Sequence, residues 1–227
     1  MMKTRTNSQP RRRSGFSLVE TMLVVAVLAV VMGIVVDGLV QLQKRNRADV
    51  GKVDTTQMAR QFMDQIINDL HQTGYPGTKV YDPASAPSAN NVAVGLLSVN
   101  SSATEFEADV DGSGSVSHIW LQLVWSDGTP VAGGPGNCPC TLQRGTLYKS
   151  QVGTGTVPYY TEVTNVMNTN VFSAYFFDGS QVTLPASSTD LPNIRNIKVT
   201  VNLQSSTPEA NGTFPTITMA SEAKINN

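Results

Sequence analysis

The sequence predicts an α+β fold: one long N-terminal helix followed by an antiparallel β-sheet. Two observations carry this. Apolar residues recur at helical spacing up to about residue 73, then at the two-residue spacing of strands. The dividing line is Gly74-Tyr75-Pro76-Gly77, a strong helix breaker.

The helix is read over residues 16–73, with no proline between Phe16 and Tyr75. Its first half is apolar all round. Thr21 to Val36 is a run of 16 residues without a charge. Extended to 17–40, it covers ~36 Å at ~1.5 Å per residue, enough to cross a ~30 Å hydrocarbon core. In the second half only one face is apolar: Ala59, Phe62, Met63, Ile66, Ile67 and Leu70 form an amphipathic stripe. That stripe is expected to cover one side of the sheet.

Residues 74–227 are expected to form the β-rich head. Strand-like runs are Val92–Val99, Thr104–Ala108, Ser117–Trp125, Thr141–Gln143, Thr146–Val152, Thr161–Val166, Val171–Phe177 and Asn196–Gln204. In the last, Ile197, Val199, Val201 and Leu203 alternate with polar residues, as in a strand with one wet face. Gln143-Arg144-Gly145-Thr146 is read as a hairpin turn between its flanking runs. No helical pattern separates the runs, which points to antiparallel pairing in one sheet or two.

Charge is distributed unevenly. The net charge is -1, but five of the 16 Lys and Arg precede Gly15 and no acid does. The remaining 11 basic side chains face 17 acidic ones, which leaves no basic footprint for nucleic acid.

The basic stretch 1–15 leads into Gly15-Phe16-Ser17-Leu18-Val19-Glu20, with one carboxylate at the start of the apolar run. An acid near the start of a membrane span is costly and needs a partner. Three readings compete: a cleaved secretory signal, a plain signal anchor, and a processed leader. A secretory signal should end in small residues after a shorter apolar core, and none stand out after Val31. A plain anchor gives no reason for Gly15 or Glu20.

Gly15-Phe16-Ser17-Leu18-Val19-Glu20, behind basic residues and before an apolar run, resembles the processing motif of type IV prepilins and type II secretion pseudopilins. The resemblance implies a pilin-like fold and cleavage of leader 1–15 between Gly15 and Phe16 by a prepilin peptidase in the inner membrane. It also implies N-methylation of Phe16, a cytoplasmic N-terminus before assembly, and partners that are other pilins or pseudopilins. Glu20 becomes the fifth residue of the mature chain, within the i,i+4 reach of the new amine of its own chain or a neighbour's. In an oily setting that pairing offsets the burial of the carboxylate. The order of features through Arg60–Leu70, Phe106–Gly112, Arg144–Lys149 and Leu191–Val199 is also similar to larger minor pilins of the PilW type and J-class minor pseudopilins. That narrower likeness implies a non-enzymatic component that starts, caps or decorates a pilus or secretion pseudopilus. The rival from another class is a membrane-anchored extracytoplasmic binding or adhesion module.

Asp109-Val110-Asp111-Gly112-Ser113-Gly114 looks like part of a calcium loop, with Asp109, Asp111 and Ser113 as oxygen ligands. Its twelfth position, where a bidentate Glu belongs, is Trp120, and an acidic turn explains the same residues. No other cofactor is expected. Cys138 and Cys140 are read as a local disulfide, with free or intermolecular thiols as the alternative. The two histidines, His71 at the helix end and His118 at a strand start, come with no nucleophile elbow, zinc motif or phosphate loop. His118 is expected on the wet surface of the sheet.

Overall fold

The computed structural model describes residues 17–77, 88–131, 138–209 and 211–225. Helix α1 spans Leu18–His71, 54 residues. Eight strands follow: β1 Leu96–Val99, β2 Ala103–Ala108, β3 Ser117–Val124, β4 Cys140–Tyr148, β5 Tyr159–Val166, β6 Phe172–Phe176, β7 Ile194–Gln204 and β8 Thr216–Lys224. The chain divides into two compact units, residues Met1–Asn46 and Arg47–Asn227.

In the first unit the helix is exposed along its apolar window, which has a mean hydropathy of 2.8. Length and composition suffice for a membrane span.

The second unit holds the core. β1 to β5 form an antiparallel meander, and β6 and β8 flank β7 on opposite edges. The meander joins β7 through one paired position, Val166 with Leu203. β5 and β6 thus lie end to end along the same edge of β7. Asn168 fills the gap between them. Its Nδ2 donates to the Thr200 carbonyl at 2.9 Å, and its Oδ1 accepts the Asn202 N–H at 2.7 Å. One side-chain amide replaces a missing stretch of strand backbone, so the β7 groups at the break are not left unpaired.

The helix stripe does what its periodicity predicts. Ala59, Phe62, Met63, Ile66 and Leu70 are buried in one cluster with Phe106, Ile119, Leu121, Leu142 and the odd-numbered face of β7. Helix and β7 run side by side over this length. An added Cβ at Gly51 would meet the Ser205 and Thr207 hydroxyls at 3.0 Å, while His71 Nδ1 donates to the Lys224 carbonyl at 2.9 Å. The helix passes His71 into a short turn where Gly74 takes φ 80°.

The expected hairpin at Gln143–Thr146 is not there. β4 runs unbroken from Cys140 to Tyr148, with Gln143 opposite Gln122, Arg144 opposite Leu121 and Gly145 opposite Trp120. Gly145 is a glycine for space, not for a turn. A Cβ there would fall 2.6 Å from a Val157 methyl and 2.8 Å from the Tyr159 ring on the neighbouring strand. The first expected run is also shorter: β1 begins at Leu96, not at Val92. β8 was absent from the sequence reading.

His118 is buried instead of lying on the open surface. Its ring stacks on Trp120 with centroids 3.8 Å apart and planes 7° from parallel. Glu105 on β2 stands 3.6 Å from its Nε2.

Three turns are built alike. In Trp125–Thr129, Phe176–Ser180 and Glu209–Thr213 the first N–H donates to the fifth carbonyl, at 2.8, 2.9 and 2.7 Å. In each, the side-chain oxygen of Asp127, Asp178 or Asn211 accepts both the N–H and the hydroxyl of the Thr or Ser two residues on. Gly128, Gly179 and Gly212 adopt φ of 83–84°, where only glycine is unstrained.

Substituting Gly145→Ala should force Val157 and Tyr159 off β4. The expected loss is ~1–3 kcal/mol, read as a lower denaturant midpoint with an unchanged m-value.

Candidate functional site

The membrane-facing candidate site starts outside the described residues: Gly15 and Phe16 lie in the undescribed N-terminus. Glu20 falls in the first turn of α1. The carboxylate there interacts favourably with the helix N-terminal dipole. Thr21 closes the same turn, donating its N–H to the Ser17 carbonyl at 3.1 Å and its hydroxyl at 3.3 Å. Beyond Glu20 the exposed side chains are Val, Leu, Met and Ile up to Val36, broken by alanines, Thr21 and Gly33. This is a helix surface that lipid or other apolar helices can cover and water cannot.

In the second unit, two ion pairs tie the pieces together. Asp69, in the last turns of α1, receives Arg144 of β4 through Nε at 3.0 Å and Nη2 at 2.9 Å. Burial pushes the Asp69 carboxyl up, and the Arg144 charge and hydrogen bond only partly oppose this. Glu162 on β5 is also raised by burial, with Arg144 opposing and Asp69 adding to the rise. One guanidinium therefore serves two carboxylates, Asp69 buried and Glu162 half-buried. An open groove of about 580 Å³ lies beside the pair, lined by Gln65, Asp111, Thr146 and Tyr148 among others.

In the other pair, Lys149 donates to Glu107 at 2.7 Å and to the Val92 carbonyl at 3.0 Å. Glu107 also accepts the Val94 N–H at 2.9 Å. The pair thereby pins the approach to β1 against β2 and β4.

Asp109, Asp111 and Ser113 are brought together, chiefly with one another. The two Asp109 oxygens accept the Ser113 and Gly114 N–H groups at 3.0 and 2.9 Å. Asp111 accepts the Ser113 N–H at 3.1 Å and the Tyr148 hydroxyl at 3.3 Å. Hydrogen bonds from Ser113 hold the Asp111 carboxyl below its usual range. Asp111-Gly112-Ser113 is a fourth occurrence of the short motif that closes the three turns above. Among the described residues, no group of three or more His, Cys, Asp and Glu is placed to hold a metal.

Cys138 and Cys140 are joined by a disulfide, with Cα atoms 4.7 Å apart. Cys140 opens β4 and is buried, and Cys138 packs against the core.

Sequence reasoning missed the Asp69–Arg144 pair. Asp69 was visible as an acid one residue from the apolar stripe, and Arg144 as a base inside a β pattern. Their meeting depends on β4 running straight.

Comparison with known proteins bears on the N-terminal segment. The family of the prokaryotic N-terminal methylation motif matches residues 10–36. No curated protein and no solved structure matches the chain. The matched segment contains Gly15, Phe16 and Glu20 and ends where the uncharged run ends. The motif and the apolar helix together support a type IV pilin-like protein anchored in a membrane, whose leader is processed by a prepilin peptidase.

The Asp69–Arg144 pair yields a stability test. Arg144→Met leaves Asp69 buried without its cation and should cost ~3–5 kcal/mol at neutral pH. Asp69→Asn keeps an acceptor for Arg144 and should cost far less. The folded Asp69 pKa lies above its unfolded value, so protonation favours the folded state. The Arg144→Met defect should therefore shrink as pH falls through the Asp69 pKa, as seen in urea melts at stepped pH. A defect that grows toward acid pH would contradict the assignment.

Proposed function

We propose that this chain is a minor pilin or pseudopilin, a structural subunit that helps start, cap or decorate a type IV pilus or a type II secretion pseudopilus. The observation that carries the reading is the coincidence of the methylation motif, residues 10–36, with the exposed apolar start of α1. Cleavage after Gly15 would free a cationic amine at Phe16, and methylation there would keep the charge. Glu20 would pair with that amine on its own chain or on a neighbour's. Between staggered helices the pair would set the axial offset of one subunit against the next. The chain would wait in the inner membrane and leave lipid for helix–helix contacts on assembly.

The narrower placement among minor subunits rests on the likeness of Arg60–Leu70, Phe106–Gly112, Arg144–Lys149 and Leu191–Val199 to segments of minor pilins and pseudopilins. The protein would be the substrate of an enzyme and not itself one. Its partners would be other pilins or pseudopilins.

Intact-mass and N-terminal peptide mass spectrometry should find a mature chain beginning at N-methylated Phe16. An intact Met1 would leave a plain membrane anchor bearing a binding module. Glu20→Ala should remain membrane-inserted yet enter assembled fibres at least about tenfold less, ~1.4 kcal/mol or more of lost pairing. Incorporation at the wild-type level would remove the charge-pairing account while leaving processing intact.

A further inference from the structure

Two of the sheet's edges, β1 and β6, are closed by short strands, bulges or loop contacts, while β5 meets β7 only at its end. β1 is four residues long and bulged, and its Val99 carbonyl accepts the Ala186 N–H at 2.9 Å. The outer side of β6 is closed by the Val182 N–H on the Ala174 carbonyl at 2.8 Å and by a bridge from Tyr175 to Gln181. Among the described residues, β8 is the long edge that pairs along its whole inner side and carries no strand on its outer one. It is nine residues long and paired with β7 at all nine positions without a bulge. Thr216 to Ser221 carry no charge, and no proline interrupts the strand. An edge of this kind normally carries lysines, prolines or bulges that prevent pairing.

Register decides which groups are free. The Ser205 N–H donates to the Pro215 carbonyl, and the Ile225 N–H to the Arg195 carbonyl, both at 2.8 Å. Both pairs follow the same register as Thr200 opposite Ala220. In an antiparallel ladder hydrogen-bonded pairs alternate with non-bonded ones. Odd-numbered residues of β8 therefore bond to β7, and even-numbered ones turn their N–H and C=O outward. The Lys224 carbonyl confirms the parity, because it accepts His71 Nδ1 from the helix end. That contact also closes the edge at one end. The outward groups of Thr216, Thr218, Ala220 and Glu222 have no partner among the described residues.

We propose that this edge receives an extended strand from another polypeptide, about seven residues long, added antiparallel or parallel beside Thr216–Glu222. Alternating donors and acceptors at strand spacing match one chemical class, a polypeptide backbone in β conformation. The side chains narrow it further. Ile217 and Met219 are half-buried, and Met219 packs against the core, so the added strand presents apolar residues on that face. On the opposite face Glu222 is exposed, so the strand carries no acid against it. His71 at Lys224 sets the stop. The inference does not depend on the pilin reading.

A capped synthetic peptide with the β7 sequence Ile194–Gln204 is a suitable probe. It alternates Ile, Val, Val and Leu on one face and contains two bases and no acid. It should bind the full chain in detergent and slow amide exchange at Thr218, Ala220 and Glu222. Ala220→Pro removes one outward N–H while leaving the β7 ladder intact, since edge strands tolerate proline there. It should weaken the peptide at least tenfold with an unchanged far-UV spectrum and melting temperature. Thr218→Pro serves the same purpose should Ala220→Pro fail to fold. No binding, or equal binding by the proline variants, overturns the proposal. Concentration-dependent dimerisation of the wild type that the proline variants abolish assigns the edge to a second copy and overturns the foreign strand.

Discussion

The burial of one helical stripe against one sheet face governs the second unit. Ala59, Phe62, Met63, Ile66 and Leu70 contribute their side chains at intervals of three and four. The strands answer with every second residue. Burying a large aliphatic or aromatic side chain contributes roughly 1.5–3 kcal/mol, so this stripe outweighs any ion pair in the head. The charged contacts then act as locators. Asp69 with Arg144 sets the helix against β4, and Lys149 with Glu107 sets the strand approach. Their desolvation offsets much of their attraction, as the raised Asp69 carboxyl shows.

The same helix changes its solvent part-way along. Where its stripe is one-sided it needs the sheet. Where it is apolar all round, no described protein atom covers it, and its length and composition suit lipid or other apolar helices. Glu20 is the exception within that second regime. It is the one charged side chain between Ser17 and Val36, and it lies within the segment, residues 10–36, that matches the methylation motif.

Most of the architecture was legible because it rests on period alone. The breaker at Gly74–Gly77, the stripe from Ala59 to Leu70, and the alternation in β3 and β7 each announce themselves within a dozen residues. What failed was long-range. Gly145 reads locally as a turn, yet it is a bare site in mid-strand made necessary by Val157 just before β5 and Tyr159 at its start. β8 escaped notice because Thr-Ile-Thr-Met-Ala-Ser-Glu-Ala-Lys has small and polar residues on its buried side as well as its open one. The recurring Asp-Gly-Ser/Thr and Asn-Gly-Thr triplets would have located the turn before β8 and explained the acidic loop at Asp109 in the same terms. His118 looked like a surface residue because a partner ring two positions on, Trp120, is invisible to a hydropathy pattern.

The three matched turns close on themselves: backbone, side-chain oxygen and glycine complete every bond within five residues. In the first two the second position has no such duty. Ser126 occupies it in one turn and Phe177 in another, where the ring is 87% exposed. Folding and presentation are thereby uncoupled at these tips. Evolution can rewrite the advertised residue without consulting the core beneath it.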